Sequence, residues 1–378
     1  MFSLLKQQLS FNKYDDTESN LFSQHQNWPF NEKTISWVMD FYLTLQRKVA
    51  SHFSTIDLAV VACGADDRVQ ETLVNLKSVV LFSKRFVNFH VFTEENLKMK
   101  FRNSLDLWPY SAKSKFHYTL YSIKYPDDGH AKEWKKLFKL CASQRLFLPQ
   151  LLKDINSIVY VDTDVLFLSP IDDLWKFFKD FNSTHLAAMA PESEATNVAW
   201  YSRFARHPYY GQTGLNSGIM LMDMKRVREA KFKNDLVGES LTWAEMLLPL
   251  YKKYRQNITW GDQDLLNIVF HHNPELLLTF PCKWNYRPDH CIYMQMCKTA
   301  EKGVKLLHGC RRAFHKDKWP VFKAVYTAVK DFRFDSDIST LIRDVKKELD
   351  KVNETNCKKS SYVMVDGLQK TISLKDEL

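Results

Sequence analysis

The residues of this chain that are best placed to do chemistry are two aspartates separated by one residue. Asp162 and Asp164 follow the apolar run 158–161, which predicts a buried strand that ends where the pair begins. Side chains two residues apart in an extended segment point the same way, so both carboxylates can face one cation. Carboxylate oxygens suit Mg²⁺ or Mn²⁺, and substrate phosphates usually complete the coordination. The pair therefore predicts a divalent-metal site at the end of a strand.

The same segment is also compatible with a phosphatase site. Haloacid-dehalogenase-type phosphatases place an apolar strand before Asp-x-Asp and use the first aspartate as nucleophile, and residues 158–165 fit that pattern. Their motif normally lies on the first strand of the domain, whereas residues 55–157 of regular α/β sequence precede Asp162 here. The position of the pair favours a metal site over a phosphatase nucleophile.

Two later segments combine polar side chains with the end of a predicted element. Residues 214–222 bring a small polar turn to the mouth of a buried strand. Residues 260–267 place a carboxylate, an amide and a carboxylate at the start of a helix, where the first turn favours negative charge. Each segment taken separately is equally compatible with a structural cap or loop.

The elements that must position these residues alternate between strands and helices. A β-branched run at 56–63 ends in Gly64, a helical stripe follows at 69–80, and a second strand is predicted at 86–92. This β-α-β order predicts a parallel sheet that binds ligands at the carboxyl ends of its strands. Further strands are predicted at 157–161, 185–190, 217–222, 276–280 and 304–307, and helices at 133–153, 241–254 and 265–270.

These patterns predict one α/β domain with a central sheet and flanking helices. It spans residues 55–333, after a polar lead-in with one amphipathic helix at 1–54. Residues 334–378 are charged and weakly periodic, which predicts a C-terminal helix and tail.

In this order, the aspartate pair and the segments 214–222 and 260–267 resemble the pattern of glycosyltransferase family 8. The sequence is more similar still to the glucoside xylosyltransferase group of that family, from about residue 57 to residue 325. Four further segments carry this resemblance: 135–139, 143–149, 201–208 and 280–291.

The resemblance implies a fold and an activity. The fold is a nucleotide-sugar-binding fold of the GT-A type, with a mixed, mostly parallel central sheet. The activity is retaining transfer of xylose from UDP-xylose, with Mn²⁺, to glucose that is O-linked to epidermal-growth-factor-like (EGF-like) repeats of Notch-type proteins. Two alternatives stay open: transfer of another sugar, such as glucose, from its UDP derivative, or an inactive lumenal protein that only binds sugar.

The resemblance also implies roles for individual residues. Asp162, Asp164 and His308 match the metal ligands. Gln263 would stabilise positive charge beneath the anomeric carbon, while Asp262 and Asn216 would hold sugar. The residues that would bind the nucleotide-sugar donor are Val61, Ala62, Cys63, Gly64, Arg145, Thr163, Gly309 and Lys318. Without the resemblance, His308 would be taken as a structural histidine at a strand end, and Arg145 as a solvent-facing arginine.

One loop departs from the family pattern. The family usually has His-Gly-Asn-Arg-Gly where this chain has residues 308–312, His-Gly-Cys-Arg-Arg. Because Arg312 replaces the second glycine, we expect a less flexible loop. Cys310 adds a thiol close to the expected diphosphate.

The charge of the chain does not predict a nucleic-acid partner. The formal net charge is +9, but basic residues are interspersed with acidic ones along the sequence. Such a distribution is typical of an ordinary solvated surface.

The seven cysteines are an odd number. Cys63 and Cys141 lie in apolar stretches and are expected to be buried free thiols. Cys282, Cys291 and Cys297 cluster without histidines at zinc-finger spacing, so one disulfide within this cluster is expected rather than a zinc site.

The two ends of the sequence differ in what they indicate about location. Residues 375–378 read Lys-Asp-Glu-Leu, the signal that retains soluble proteins in the endoplasmic reticulum. The N-terminal residues turn polar at once and contain no apolar run long enough for a signal peptide or membrane anchor. We therefore expect the lumen of the endoplasmic reticulum or Golgi, reached through a leader that this sequence lacks.

Overall fold

The computed structural model describes residues 55–376, except for 127–128, 138–140 and 294–295. The central sheet contains β1 (Ile56–Ala62), β2 (Val87–Thr93), β3 (Phe116–Ser122), β4 (Ser157–Val161), β6 (Ala187–Pro191), β7 (Leu215–Asp223) and β10 (Leu277–Thr279). Two small sheets pair β5 (Val165–Phe167) with β11 (Leu306–His308), and β8 (Lys231–Phe232) with β9 (Leu241–Thr242).

The strand order of the central sheet is β10-β6-β7-β4-β1-β2-β3. All neighbours pair in parallel except β7, which runs antiparallel to both β4 and β6. The prediction of a mixed, mostly parallel sheet is therefore confirmed. Because β7 is reversed, its first residues lie at the same edge as the carboxyl ends of β1 and β4.

Apolar side chains cover both faces of this sheet. Along β1, Ala59 and Val61 face one core cluster, whereas Leu58 and Val60 face another. A strand buried on both faces reads as a continuous apolar run, which is why these strands could be recognised in the sequence.

Helices flank the sheet and extend beyond it. The α-helices are α1 (Asp66–Phe82), α2 (Glu95–Asp106), α3 (Tyr110–Lys113), α4 (Ala131–Lys136), α5 (Leu148–Leu151), α6 (Ile171–Trp175), α7 (Trp200–Phe204), α8 (Met224–Glu229), α9 (Trp243–Tyr254), α10 (Asp262–His272), α11 (Pro288–Ile292), α12 (Pro320–Asp331), α13 (Thr340–Asp350), α14 (Asn356–Lys359) and α15 (Tyr362–Asp376). None of the helices in the described ranges has the length and apolar character that crossing a bilayer requires.

The single long helix predicted at 133–153 is wrong. Its place is taken by α4, a 3₁₀ helix at Ala142–Phe147 and the short α5. Cys141 adopts a left-handed φ of 63°, which a continuous α-helix does not allow. Pro149 then stands in the first turn of α5, where a proline is tolerated. The amphipathic helix predicted within 1–54 lies outside the described residues.

The C-terminal segment packs against the rest of the fold. Leu341 and Val345 of α13, and Val363 and Leu368 of α15, are buried in a third apolar cluster with Val325 of α12. The segment thus contributes core side chains as well as charge, while the division into 1–54, 55–333 and 334–378 stays a prediction.

The cysteines form three disulfides, Cys63–Cys141, Cys282–Cys297 and Cys291–Cys357. The disulfide expected within the 282–297 cluster is confirmed. The expectation of free thiols at Cys63 and Cys141 is wrong, because the fold brings the loop after β1 against the start of the 3₁₀ helix at Ala142–Phe147. Cys310 is the free cysteine.

Candidate active site

Two aspartates and a histidine from distant parts of the sequence meet at the edge of the sheet. Asp162, Asp164 and His308 each offer a ligand atom, and these atoms lie within 4.8 Å of one another. His308 Nε2 is 3.5 Å from Asp164 Oδ1 and 3.9 Å from Asp162 Oδ2. Antiparallel pairing of β11 with β5 causes this approach, because it sets His308 opposite Val165.

A chain of hydrogen bonds fixes which nitrogen of His308 faces the aspartates. Asn285 Nδ2 donates to Asn216 Oδ1 (2.9 Å), which also accepts from the Gly218 amide (3.1 Å). Asn285 Oδ1 is therefore oriented to accept from His308 Nδ1, at 2.9 Å. His308 Nε2 then carries its lone pair towards the carboxylates. Hydrogen bonding of the second ring nitrogen is the usual arrangement for a metal-binding histidine.

Gly218 lets the His308 ring approach β7 closely. A Cβ at position 218 would lie 2.1 Å from His308 Cε1, far inside van der Waals contact. The carbonyl of Gly218 accepts from the Asp162 amide at 2.8 Å. Gly218 therefore contacts both the histidine and the first aspartate of the ligand group.

Arg145 is buried beside the group, with 6% of its surface exposed. Its guanidinium pairs with Asp162 Oδ1 (3.0 Å) and with Asp262, and it donates to the Ser217 carbonyl. It also lies over the Tyr160 ring, 4.5 Å from the centroid. The solvent-facing alternative for Arg145 is therefore wrong, and contact of Arg145 with a donor stays a prediction.

Asp262 at the start of α10 is only 1% exposed and pairs with Arg145. Burial raises the pKa of its carboxyl to about 7, although the Arg145 guanidinium opposes that shift. Because an arginine keeps its proton, Arg145 needs this carboxylate and Asp162 as counterions. The role predicted for Asp262 in holding sugar stays a prediction.

Gln263 lies between β7 and α7. Its Oε1 accepts from the Ser217 amide (3.0 Å), and its Nε2 donates to the Tyr201 hydroxyl (3.1 Å). Tyr201 in turn donates to Asp264 (2.7 Å), which is fully buried. These contacts hold the Gln263 amide in one orientation at the edge of the sheet.

The residues predicted to bind the donor differ in how they are placed. Val61 and Ala62 are buried at the end of β1, and only Cys63 and Gly64 beyond them reach the surface. The Gly64 amide donates to Glu94 Oε2 at 2.8 Å. Lys318 is exposed, with its Nζ 5.2 Å from the centroid of the Trp319 ring.

The loop after His308 has an unusual backbone. Gly309 donates to the Asp164 carbonyl at 2.6 Å, which ties the loop to the aspartate turn. Arg311 and Arg312 then adopt left-handed φ angles of 60° and 63° and pair with Asp289 and Asp67, respectively. The half-buried Cys310 directly precedes these two arginines, and burial raises the pKa of its thiol to about 11.

Sequence reasoning missed several residues that support the ligand group. Asn285 lies in the segment 280–291, but no local pattern distinguishes it from a loop asparagine. Tyr160 donates its hydroxyl to Asp162 Oδ1 at 3.0 Å, and Asn75 donates to the Asp162 carbonyl at 2.9 Å. Asn75 interrupts the apolar stripe of α1. A polar residue within that stripe was the sequence signal that could have marked it as a supporting residue.

The chain is similar to known proteins over most of its length. The family model described as Glycosyl transferase family 8 matches residues 59–312. Glucoside xylosyltransferase 1 of Gallus gallus is 55% identical over 320 residues, covering 84% of this chain and 73% of the relative. Glucoside xylosyltransferase 2 of Mus musculus is 54% identical over 319 residues, covering 84% of this chain and 71% of the relative.

Solved structures share the fold at low sequence identity. The galactosyltransferase LgtC, in complex with donor and acceptor sugar analogues, aligns with a TM-score of 0.55 and 17% identity, covering 75% of this chain and 99% of the other. Mouse xyloside xylosyltransferase 1 in its apo form aligns with a TM-score of 0.50 and 20% identity, covering 68% and 98%. The expected GT-A type fold is thus confirmed.

Proposed function

This chain belongs to glycosyltransferase family 8, and we propose that it transfers xylose from UDP-xylose to glucose O-linked to EGF-like repeats. The observation that carries the choice of xylose is the identity of more than half of the aligned residues with relatives named glucoside xylosyltransferases. Membership of this family also removes the phosphatase alternative for Asp162.

The ligand group supports a metal-dependent reaction. Asp162, Asp164 and His308 offer two carboxylates and one neutral imidazole nitrogen, a donor set that suits Mn²⁺ better than Mg²⁺. A divalent cation held there would supply Lewis-acid neutralisation of the charge that develops on the leaving diphosphate.

The side chains around the group fit the other demands of glycosyl transfer. Breaking the bond between the anomeric carbon and phosphate builds positive charge on the sugar ring. The amide and the hydroxyl of Ser217 both donate to Gln263 Oε1, at 3.0 Å and 3.3 Å, and the carbonyl dipole that they hold in place can stabilise that charge. Asn216 Oδ1 is occupied, which leaves the Asn216 Nδ2 group to donate to a sugar hydroxyl. Arg145 keeps Asp162 and Asp262 in register with each other.

We further propose retention of the anomeric configuration, with the acceptor hydroxyl attacking from the face that the diphosphate leaves. The departing phosphate oxygen then takes the acceptor proton, so no side chain needs to act as a strong base.

We also propose that the enzyme works in the lumen of the endoplasmic reticulum or Golgi. Three disulfides among seven cysteines are typical of a protein that folds in an oxidising compartment.

The test is a panel of UDP-sugars with Mn²⁺ and an EGF-like repeat carrying O-linked glucose, with the same repeat without glucose as control. We expect a mass increment of one pentose with UDP-xylose only, and an α-linkage by NMR. Asp164→Asn should abolish transfer. A hexose increment would favour the UDP-glucose alternative, and sugar binding without turnover would favour an inactive lumenal protein. Full activity of Asp164→Asn would refute the metal assignment.

A further inference from the structure

A buried carboxylate that the proposed chemistry does not use lies behind the ligand group. Glu71, in the first half of α1, is only 1% exposed. Removing a carboxylate from water is costly unless hydrogen bonds and opposite charge compensate for it. The partners of Glu71 therefore indicate which parts of the fold its charge holds together.

One oxygen of Glu71 binds the turn between the two aspartates. Thr163 donates its hydroxyl to Glu71 Oε1 at 2.6 Å, and Arg68 Nη1 pairs with the same oxygen at 2.5 Å. Thr163 is the residue that separates Asp162 from Asp164, so this contact acts on the backbone of both.

Asn75 holds the same turn from the same helix. Residues 71 and 75 are four apart and share one face of α1. The Asn75 amide donates to the Asp162 carbonyl, one residue before Thr163. One face of α1 therefore binds the aspartate turn twice. Glu71 accepts from the Thr163 side chain, and Asn75 donates to the main chain at Asp162.

The other oxygen of Glu71 binds the segment that follows the third ligand. His315 Nε2 lies 2.6 Å from Glu71 Oε2, and because an ionised carboxylate can only accept, the imidazole donates. The His315 ring packs edge-on against Tyr326 of α12, with 5.3 Å between centroids. His315 is seven residues beyond His308, in the loop that also contains Cys310 and Lys318.

We propose that Glu71 is a positioning residue that sets the two aspartates and the loop after His308 in register with each other. The two segments supply the metal ligands from opposite parts of the sequence, and Glu71 touches both with separate oxygens. The inference rests on the proposed binding of a metal and a UDP-sugar at this site. Loss of the Glu71 carboxylate should therefore weaken donor binding, although Glu71 is not among the residues proposed to hold the metal or the donor.

The experiment measures UDP binding by calorimetry in the presence of Mn²⁺, together with the melting temperature. Supporting residues behind metal ligands typically change metal affinity 10- to 100-fold when substituted. We expect Glu71→Gln and His315→Phe each to weaken UDP binding by about 10-fold or more. Both substitutions break the same contact, between Glu71 and His315. The loss of UDP affinity in the double variant should therefore be much smaller than the product of the two single losses. His315→Phe alters a partly exposed side chain and keeps the test decisive if Glu71→Gln fails to fold.

A second buried carboxylate provides the matched control. Asp172 is 8% exposed and accepts from the Lys84 amide (3.0 Å) and the Ser83 hydroxyl, just beyond the far end of α1. Asp172→Asn should lower the melting temperature and leave UDP affinity within about twofold. Wild-type UDP affinity in Glu71→Gln and His315→Phe would overturn the inference alone. Failure of the wild-type protein to bind UDP with Mn²⁺ would overturn the proposed function and this inference with it.

Discussion

Gly218→Ala adds one methyl group at the point where the fold leaves no room for it. The new Cβ would meet His308 Cε1 at 2.1 Å, whereas ordinary contact begins at 3.4 Å. The imidazole would have to retreat by about 1.3 Å, several times the roughly 0.2 Å tolerance of a metal–ligand distance. Backbone movement on the β7 side is restricted, because the Gly218 carbonyl is bonded to the Asp162 amide.

A displacement of about 1 Å at a reacting centre costs on the order of 100-fold in rate. We therefore expect Gly218→Ala to lose about 100-fold in Mn²⁺ affinity or in kcat/KM, equivalent to about 3 kcal/mol. Mn²⁺ titration of UDP binding by calorimetry and initial rates with UDP-xylose measure the two quantities. The melting temperature reports any general cost of overpacking, which is typically 1–3 kcal/mol.

Gly238→Ala is the control, because Gly238 has nothing within 4 Å of the added Cβ and no positive φ. It should match wild type in metal affinity and rate. If Gly218→Ala folds and keeps the Mn²⁺ affinity and kcat/KM of Gly238→Ala within twofold, then His308 is not a ligand whose position matters, and the reasoning is refuted.

Three other outcomes are expected. Asn285→Ala should lower Mn²⁺ affinity by about 10- to 100-fold, since it removes the acceptor that orients His308; unchanged affinity by calorimetry would contradict this. Iodoacetamide at pH 8 should leave the native protein unmodified, because the raised pKa keeps Cys310 as a thiol. After unfolding without reductant, the reagent should add one group per chain. Intact mass spectrometry measures the number of groups added, and more than one would show that a disulfide is absent. Asp67→Asn removes the ion pair of Arg312, so that the backbone conformation of residue 312 can be tested alone. In that background Arg312→Gly should raise the melting temperature, because it relieves about 1 kcal/mol of left-handed strain. A lower melting temperature would show that the strain is negligible.

The central strands were predictable because burial on both faces produces long apolar runs. The segment 157–161 matches β4, and 217–222 lies within β7. The edge strand β3 was not predicted, since its residues are mostly half-exposed and mix aromatic with polar side chains. The break at Cys141 could not be read either, because a disulfide to Cys63 depends on contacts far apart in sequence.

The site residues likewise divide into those with a local sequence pattern and those that depend on contacts distant in sequence. The spacing of Asp162 and Asp164 after a strand was visible locally, and family resemblance added His308. Glu71 and Asn285 act through contacts with residues 92 and 23 positions away, respectively, and no local pattern contains such a partner. The loop after His308 departs visibly from the family pattern, but its residues alone do not reveal that Arg312 adopts the left-handed conformation that a glycine would favour.

The Cys291–Cys357 bridge has a practical consequence for anyone who wishes to express this enzyme. A gene shortened to end at residue 333 would leave Cys291 as an orphan thiol, open to wrong pairing or to covalent dimers. The same cut would strip the cover from the apolar surface on which Leu341 and Leu368 rest, an aggregation hazard. The charged composition of residues 334–378 suggests that they could be removed, but a catalytically active fragment should retain them.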